Sequence, residues 1–193
     1  NIPFKLVTRR QFKQFKDVCR AFGNFGFASE DGFSGNISFK DYSSNTFVIT
    51  KTHFNIDKFE DKDFVQVLNI DRKNKTVEVN GRYEPSSESI MHQALYNYRP
   101  DIHCIIHGHS DTMLEAGEKL GWPTTEREME YGTPEVADAV ANTTGYSCVS
   151  IIKNHGFVIT AQTIDSADKN LIISFWIDSF NSTKISGSIL KLF

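Results

Sequence analysis

The sequence predicts an α/β protein: a mainly antiparallel central sheet with helices flanking both faces, three layers in all. Three observations predict it. Apolar residues recur at helical spacing in some segments and alternate in others. Short β-branched and aromatic runs come in pairs separated by turn residues, the pattern of hairpins. Helical and strand-like segments interleave without the strict alternation that a parallel sheet requires. The chain has 193 residues, enough to bury a substantial core, so residues 1–193 are read as one domain.

The elements follow in order. From Thr8 to Phe22, apolar residues fall at Phe12, Phe15, Cys19 and Phe22, which predicts a helix capped by Thr8 and stopped by Gly23. Asn36 to Lys40 alternates Ile37 with Phe39, and Thr46 to Thr50 is a strand-forming run. Ser43, Ser44 and Asn45 between them suggest a hairpin. A second hairpin is expected from Phe64–Ile70 and Thr76–Val79 around Asp71–Asn74. Ser87 to Tyr98 reads as a helix capped by Ser86 or Ser87 and ended before Pro100. Ile102 to Ile106 is a buried strand. Thr133-Pro134-Glu135 opens a helix with a cap, a proline at the first position and an early acid. Cys148–Ile152 and Phe157–Thr160 are strands, and a last helix is expected from Asp165 to Phe180.

Bulk properties exclude several function classes. A net charge of −3, with cations scattered among acids, argues against a nucleic-acid surface. No apolar run is long enough to span a bilayer, and the N-terminal stretch containing Arg9 and Arg10 does not read as a secretory signal. The chain opens at Asn1 without an initiator methionine, which fits removal of a short leader. Cys19, Cys104 and Cys148 form no CxxC pair and sit in apolar stretches, so buried free thiols and a cytoplasmic location are expected.

The chemistry concentrates in His107-Gly108-His109. Alternate residues of a strand share a face, so both imidazoles point the same way, and Gly108 lets the backbone bend towards a shared ion. His155, in the Asn154-His155-Gly156 turn, is the candidate third ligand; three neutral imidazoles leave a tetrahedral zinc one open position. His103 reads instead as a hydrogen-bonded core or edge histidine. Glu84-Pro85-Ser86-Ser87-Glu88 offers two hydroxyls and the first amides of a helix to an anion, and Glu88 could stand beside the ion as a base; the same residues also make an ordinary helix cap. Ser34-Gly35-Asn36 opens a strand where glycine permits close approach of the backbone to a ligand.

Together and in order, these pieces resemble the class II aldolase/adducin family. The matches are Ser34–Ser38, Val48-Ile49-Thr50 with Thr52, Glu84–Glu88, Arg99-Pro100-Asp101, His107-Gly108-His109, Tyr131–Glu135 and Asn154-His155-Gly156. The resemblance covers roughly residues 8 to 180. It implies a nine-stranded, largely antiparallel sheet flanked by helices, usually assembled as a homotetramer with active sites at subunit interfaces. It also implies His107, His109 and His155 as zinc ligands, Glu88 as acid/base, and Gly35, Asn36, Thr52, Ser86 and Ser87 as the phosphate-binding set. The function it implies first is zinc-dependent retro-aldol cleavage of a ketose 1-phosphate. Dehydration of a methylthioribulose-phosphate-type substrate and ribulose-phosphate 4-epimerisation are alternatives on the same site, and a non-catalytic, adducin-like interaction domain is the alternative of another class.

Two departures from the family pattern bear on the substrate. The phosphate loop reads Thr50-Lys51-Thr52-His53 where the family has a glycine, placing Lys51 and His53 at the phosphate mouth. In Trp122–Met129 the aldolases' proton-donating tyrosine is absent. Glu128-Met129 instead resembles the stretch where the dehydratases carry a second catalytic glutamate, without their longer insertion. Read without the resemblance, this stretch looks like the start of a surface helix.

Overall fold

The computed structural model describes residues 8–27, 35–40, 45–167, 169 and 170. Within them the order is α1 (Arg9–Asn24), β1 (Asn36–Lys40), β2 (Phe47–Thr50), β3 (Phe64–Asp71), β4 (Thr76–Asn80) and α2 (Ser89–Tyr98). Then come β5 (Cys104–Gly108), α3 (Asp111–Leu120), α4 (Pro134–Thr144), β6 (Val149–Ile152) and β7 (Gly156–Ala161). Residues 164–167, 169 and 170 are helical; the rest of the expected last helix lies outside the described residues.

The seven strands form one sheet in the order β4-β3-β2-β1-β5-β7-β6, and every neighbouring pair is antiparallel. The resemblance implied nine strands, and seven lie among the described residues. Side-chain parity divides the core in two. Ile37, Phe39, Val48, Cys104, Ile106, Phe157 and Ile159 point to one face and pack with Phe12, Phe15 and Cys19 of α1 and Met113 of α3. Phe47, Ile49, Ile105, Ile152 and Val158 point to the other, under Met91 and Leu95 of α2 and Val136 and Val140 of α4. Three layers result, as the alternation predicts.

Four expectations needed correction. α1 does not stop at Gly23 but continues to Asn24. A Cβ at Gly23 would lie 2.8 Å from Ile56, so the glycine serves close packing, and Gly26, at φ 71°, makes the turn. α2 begins at Ser89, two residues late, because the Ser86 hydroxyl accepts from the Glu88 amide and the Ser89 hydroxyl donates to the Ser86 carbonyl, holding residues 86–88 in a turn. The segment before Met129 starts no helix; it is a loop with one parallel bridge, Thr124 to Ile151. Cys148 is exposed, whereas Cys19 and Cys104 are buried free thiols as expected.

The helix α3 was not foreseen. Ser110 caps it through the Met113 amide, and Asp111 supplies first-turn charge. That Ser-Asp pair, followed by Met113, Leu114 and Ala116, was the available signal.

Candidate metal centre and its surroundings

β5 is central, paired with β1 on one side and β7 on the other. Its parity sends His107, fully buried, to the α2/α4 face. His109 follows just past the strand end, its amide donating to the Phe27 carbonyl at 2.9 Å. His155 sits in the turn between β6 and β7, closed by its own amide on the Ile152 carbonyl at 3.0 Å. Each pair of the three rings has centroids 5.0 Å apart, and their ligand nitrogens lie within 4.8 Å of one another. The expected triad is brought together.

Protonation favours metal binding. Burial, with the neighbouring His155 adding to it, pushes His107 down to about 3. Burial, then His107 and His155, pushes His109 down to about 4. Both are neutral near pH 7. The His107 Nδ1 stands 3.0 Å from the Phe157 carbonyl oxygen, which can only accept, so Nδ1 carries the proton and Nε2 presents a lone pair. That Nε2 is 3.1 Å from the His109 Nε2. Two metal–nitrogen bonds of zinc length at a tetrahedral angle separate their nitrogens by ~3.3 Å. The donor set therefore fits a divalent ion, which His107, His109 and His155 could hold.

Glu88, at the start of α2 and 7% exposed, closes the site from the helix side. Its Oε2 lies 3.2 Å from the His107 Nε2, and its Oε1 lies 3.5 Å from the His155 Nε2. Asn36, opposite His107 in the β1–β5 register, donates from Nδ2 to Oε2 at 2.8 Å. Oxygen and nitrogen lone pairs converge on one point, which is what a cation satisfies.

Of the remaining predicted residues, Gly35, Thr52, Ser86 and Ser87 lie on the segments before β1, after β2 and before α2. Gly35 adopts φ 92°, and a Cβ there would lie 2.9 Å from both the His107 carbonyl and the Phe22 ring, so only glycine fits. Thr52 donates its amide to the Glu84 carbonyl at 3.0 Å, and the Ser86 amide donates to the Thr50 carbonyl at 3.1 Å. Ser87 is exposed and lies near Gly132. His53 takes a left-handed φ of 48° where the family has its glycine. Lys51 is engaged elsewhere, its ammonium 3.2 Å from Asp63 and over the Tyr83 ring at 4.6 Å. Glu128 is exposed, and its Oε2 accepts from Asn154 at 3.1 Å, beside His155. Tyr131, also exposed, sets its ring 6.3 Å from His155.

A family model described as the class II aldolase and adducin N-terminal domain matches residues 13–174. The chain belongs to this family. A methylthioribulose-1-phosphate dehydratase of Leptospira biflexa is 36% identical over 109 residues, 55% of this chain and 50% of that protein. The match thus spans about half the length of the curated relative. Among solved structures, an L-fuculose 1-phosphate aldolase aligns at a TM-score of 0.74 and 21% identity, covering 92% of this chain and 87% of the other. A sugar-phosphate aldolase from Thermotoga maritima aligns at 0.71 and 16%, covering 93% and 98%. At these identities the structures speak for the fold, and class II aldolase members have this one. No helix among the described residues is long and apolar enough to cross a membrane.

Proposed function

We propose that this class II aldolase-family chain is a zinc-dependent lyase that dehydrates a phosphorylated ketose of the methylthioribulose 1-phosphate type. The observation that carries the reading is a pair of carboxyl groups near one imidazole cluster: Glu88 against His107 and His155, and Glu128 bonded to Asn154, the residue before His155. The sequence likeness to a dehydratase supports it, and it revises the retro-aldol expectation. His107, His109 and His155 would hold the ion, which when bound supplies Lewis-acid polarisation of the substrate ketone.

The protein residues do the proton work. Glu128 takes the proton from the carbon next to the ketone, and Glu88 protonates the β-hydroxyl, which leaves as water. The resulting enol returns to a diketone. Asn36 holds the Glu88 carboxyl by its hydrogen bond, and Gly35, Thr52, Ser86 and Ser87 receive the phosphate. A cytoplasmic homotetramer is part of the proposal: the buried thiols of Cys19 and Cys104 fit a reducing compartment, and light scattering would read the assembly.

Retro-aldol cleavage is the second reading, favoured by the Tyr131 ring edge-on to His155, which brings a phenol to the mouth where a cleavage product needs a proton. Incubating zinc-loaded protein with methylthioribulose 1-phosphate and a panel of ketose 1-phosphates separates the two. Diketone formation supports dehydration; dihydroxyacetone phosphate supports cleavage. Glu128→Gln should cost the dehydratase roughly 10²–10⁴-fold with unchanged metal content and leave an aldolase untouched. Protein that takes up no zinc would point to the adducin-like, non-catalytic alternative.

A further inference from the structure

His107 stands on a central strand with its ring tied to the Phe157 carbonyl. His155 stands on a tight turn, next to Asn154 at a left-handed φ of 57°. Its aim depends on whatever holds residues 153–155. A strap of residues 123–128 does so. The Ile151 amide donates to the Pro123 carbonyl at 2.8 Å, and the Thr125 amide donates to the Ile151 carbonyl at 3.0 Å, which seats the strap along β6. Beyond the end of β6, three further bonds reach the turn. The Thr125 Oγ1 accepts from the Lys153 amide at 3.0 Å. The Lys153 ammonium donates to the Glu126 carbonyl at 3.2 Å, and Asn154 donates to Glu128 at 3.1 Å.

These three bonds are unequal. Glu126 and Glu128 are exposed, so their bonds compete with water. Thr125 is 2% exposed, and its hydroxyl donates in turn to the Arg127 carbonyl at 3.4 Å. Deleting that hydroxyl would leave the Lys153 amide without its acceptor, which forces the turn to move or to admit water.

We propose that Thr125 is a positioning residue of the metal centre: its buried hydroxyl fixes the turn that aims His155 at the ion shared with His107 and His109. Thr125 touches neither metal nor substrate, and it acts through the Lys153 amide. The inference rests on the metal reading of the triad and is independent of which lyase reaction follows. Groups that orient a ligand typically change metal affinity by about 10–100-fold when removed.

The test is a cobalt(II) titration of the metal-free full chain against a competing chelator, following the visible ligand-field bands. Thr125→Val, which keeps the shape and removes the hydroxyl, should weaken binding by roughly 10–100-fold and alter the bands, and Thr125→Ser should stay within about 3-fold of wild type. Wild-type affinity and bands in Thr125→Val would overturn the proposal, as would an equal loss in Thr125→Ser. Should Thr125→Val not fold, Thr125→Ala removes the same acceptor of the Lys153 amide with less bulk: weaker binding with altered bands supports the proposal, and wild-type binding overturns it. A wild-type chain that binds no cobalt sinks the metal reading and this inference with it, an outcome distinct from equal binding by wild type and variant.

Discussion

The two walls of the site are built on different principles. On the β5–β7 side, the ligand nitrogens of His107, His109 and His155 converge, with Glu88 closing in from α2. On the β2–α2 side, Lys51 is spent on Asp63 and Tyr83, and the amides of Thr52 and Ser86 serve Glu84 and Thr50. One wall is organised to take up a positive ion. The other has its charge already compensated, so a phosphate there must be held by hydroxyls and loop geometry. The contrast says that chemistry on this scaffold should be sensitive to single changes on the first wall and tolerant of them on the second.

The largest effects should follow from removing a ligand. His107→Ala, His109→Ala and His155→Ala should each abolish metal retention after dialysis and reduce turnover by at least ~10³-fold, since the ion's charge stabilisation goes with it. Glu88→Gln should retain the metal and slow turnover by roughly 10²–10⁴-fold. A Glu88→Gln enzyme at full speed would remove the carboxyl from the proton path and leave it a packing role.

Next in size is an effect on folding. A Cβ at Gly156 would run into the Gly108 carbonyl and lie 3.0 Å from both the His107 and His109 rings. Gly156→Ala should therefore cost about 2–4 kcal/mol and weaken metal binding, as read by urea unfolding and cobalt titration. An alanine variant as stable as wild type would mean that the wall yields more easily than its packing implies.

Acid should act on the same wall. Folded His107 and the fully buried His92 are both held down to about 3 by burial, against an ordinary 6.5. The unfolded chain thus takes up protons that the folded one refuses. Stability of the metal-free protein is full above pH 6.5, falls as pH drops below it, and levels only near 3. Each group contributes up to about 1.4 kcal/mol per pH unit in that window. Urea midpoints flat between roughly pH 7 and pH 5 would contradict the burial of these rings.

The first wall was also the legible one. Parity on a strand is a strong rule, so His107-Gly108-His109 could be read as a convergent pair before any fold was known, and the family resemblance supplied the roles of His155 and Glu88. The sheet was legible for the same reason, because its two cores follow period-two alternation on β1, β5 and β7. Legibility failed where local hydrogen bonds or tertiary packing outweigh pattern. Serine hydroxyls delay the start of α2, Ile56 decides what Gly23 does, and the strap of residues 123–128 is ordered by β6, the turn after it and the Arg127–Glu135 ion pair. Thr125 carried no signal in the sequence, since its partner, Lys153, is remote in the chain. The role of Asn36 was half visible: placed with the phosphate set by resemblance, it donates in the structure to Glu88.

The smallest expected effect tests the second wall directly. Lys51 is the one departure from the family loop that adds a full positive charge beside the expected phosphate, and the sequence alone invites the view that it binds substrate. The structure gives that ammonium to Asp63, a side chain only 8% exposed, with Tyr83 beneath it. Leaving Asp63 would strand a nearly buried carboxylate, so Lys51 gains little by turning to the ligand. Lys51→Met should then raise KM for a phosphorylated substrate by no more than about 3-fold, the scale of a partly screened charge, with kcat unchanged. Asp63→Asn should free the lysine and lower KM by a similar factor. A tenfold or larger rise in KM for Lys51→Met would mean that the ammonium leaves Asp63 when substrate arrives, and the second wall would then be charged in the same way as the first.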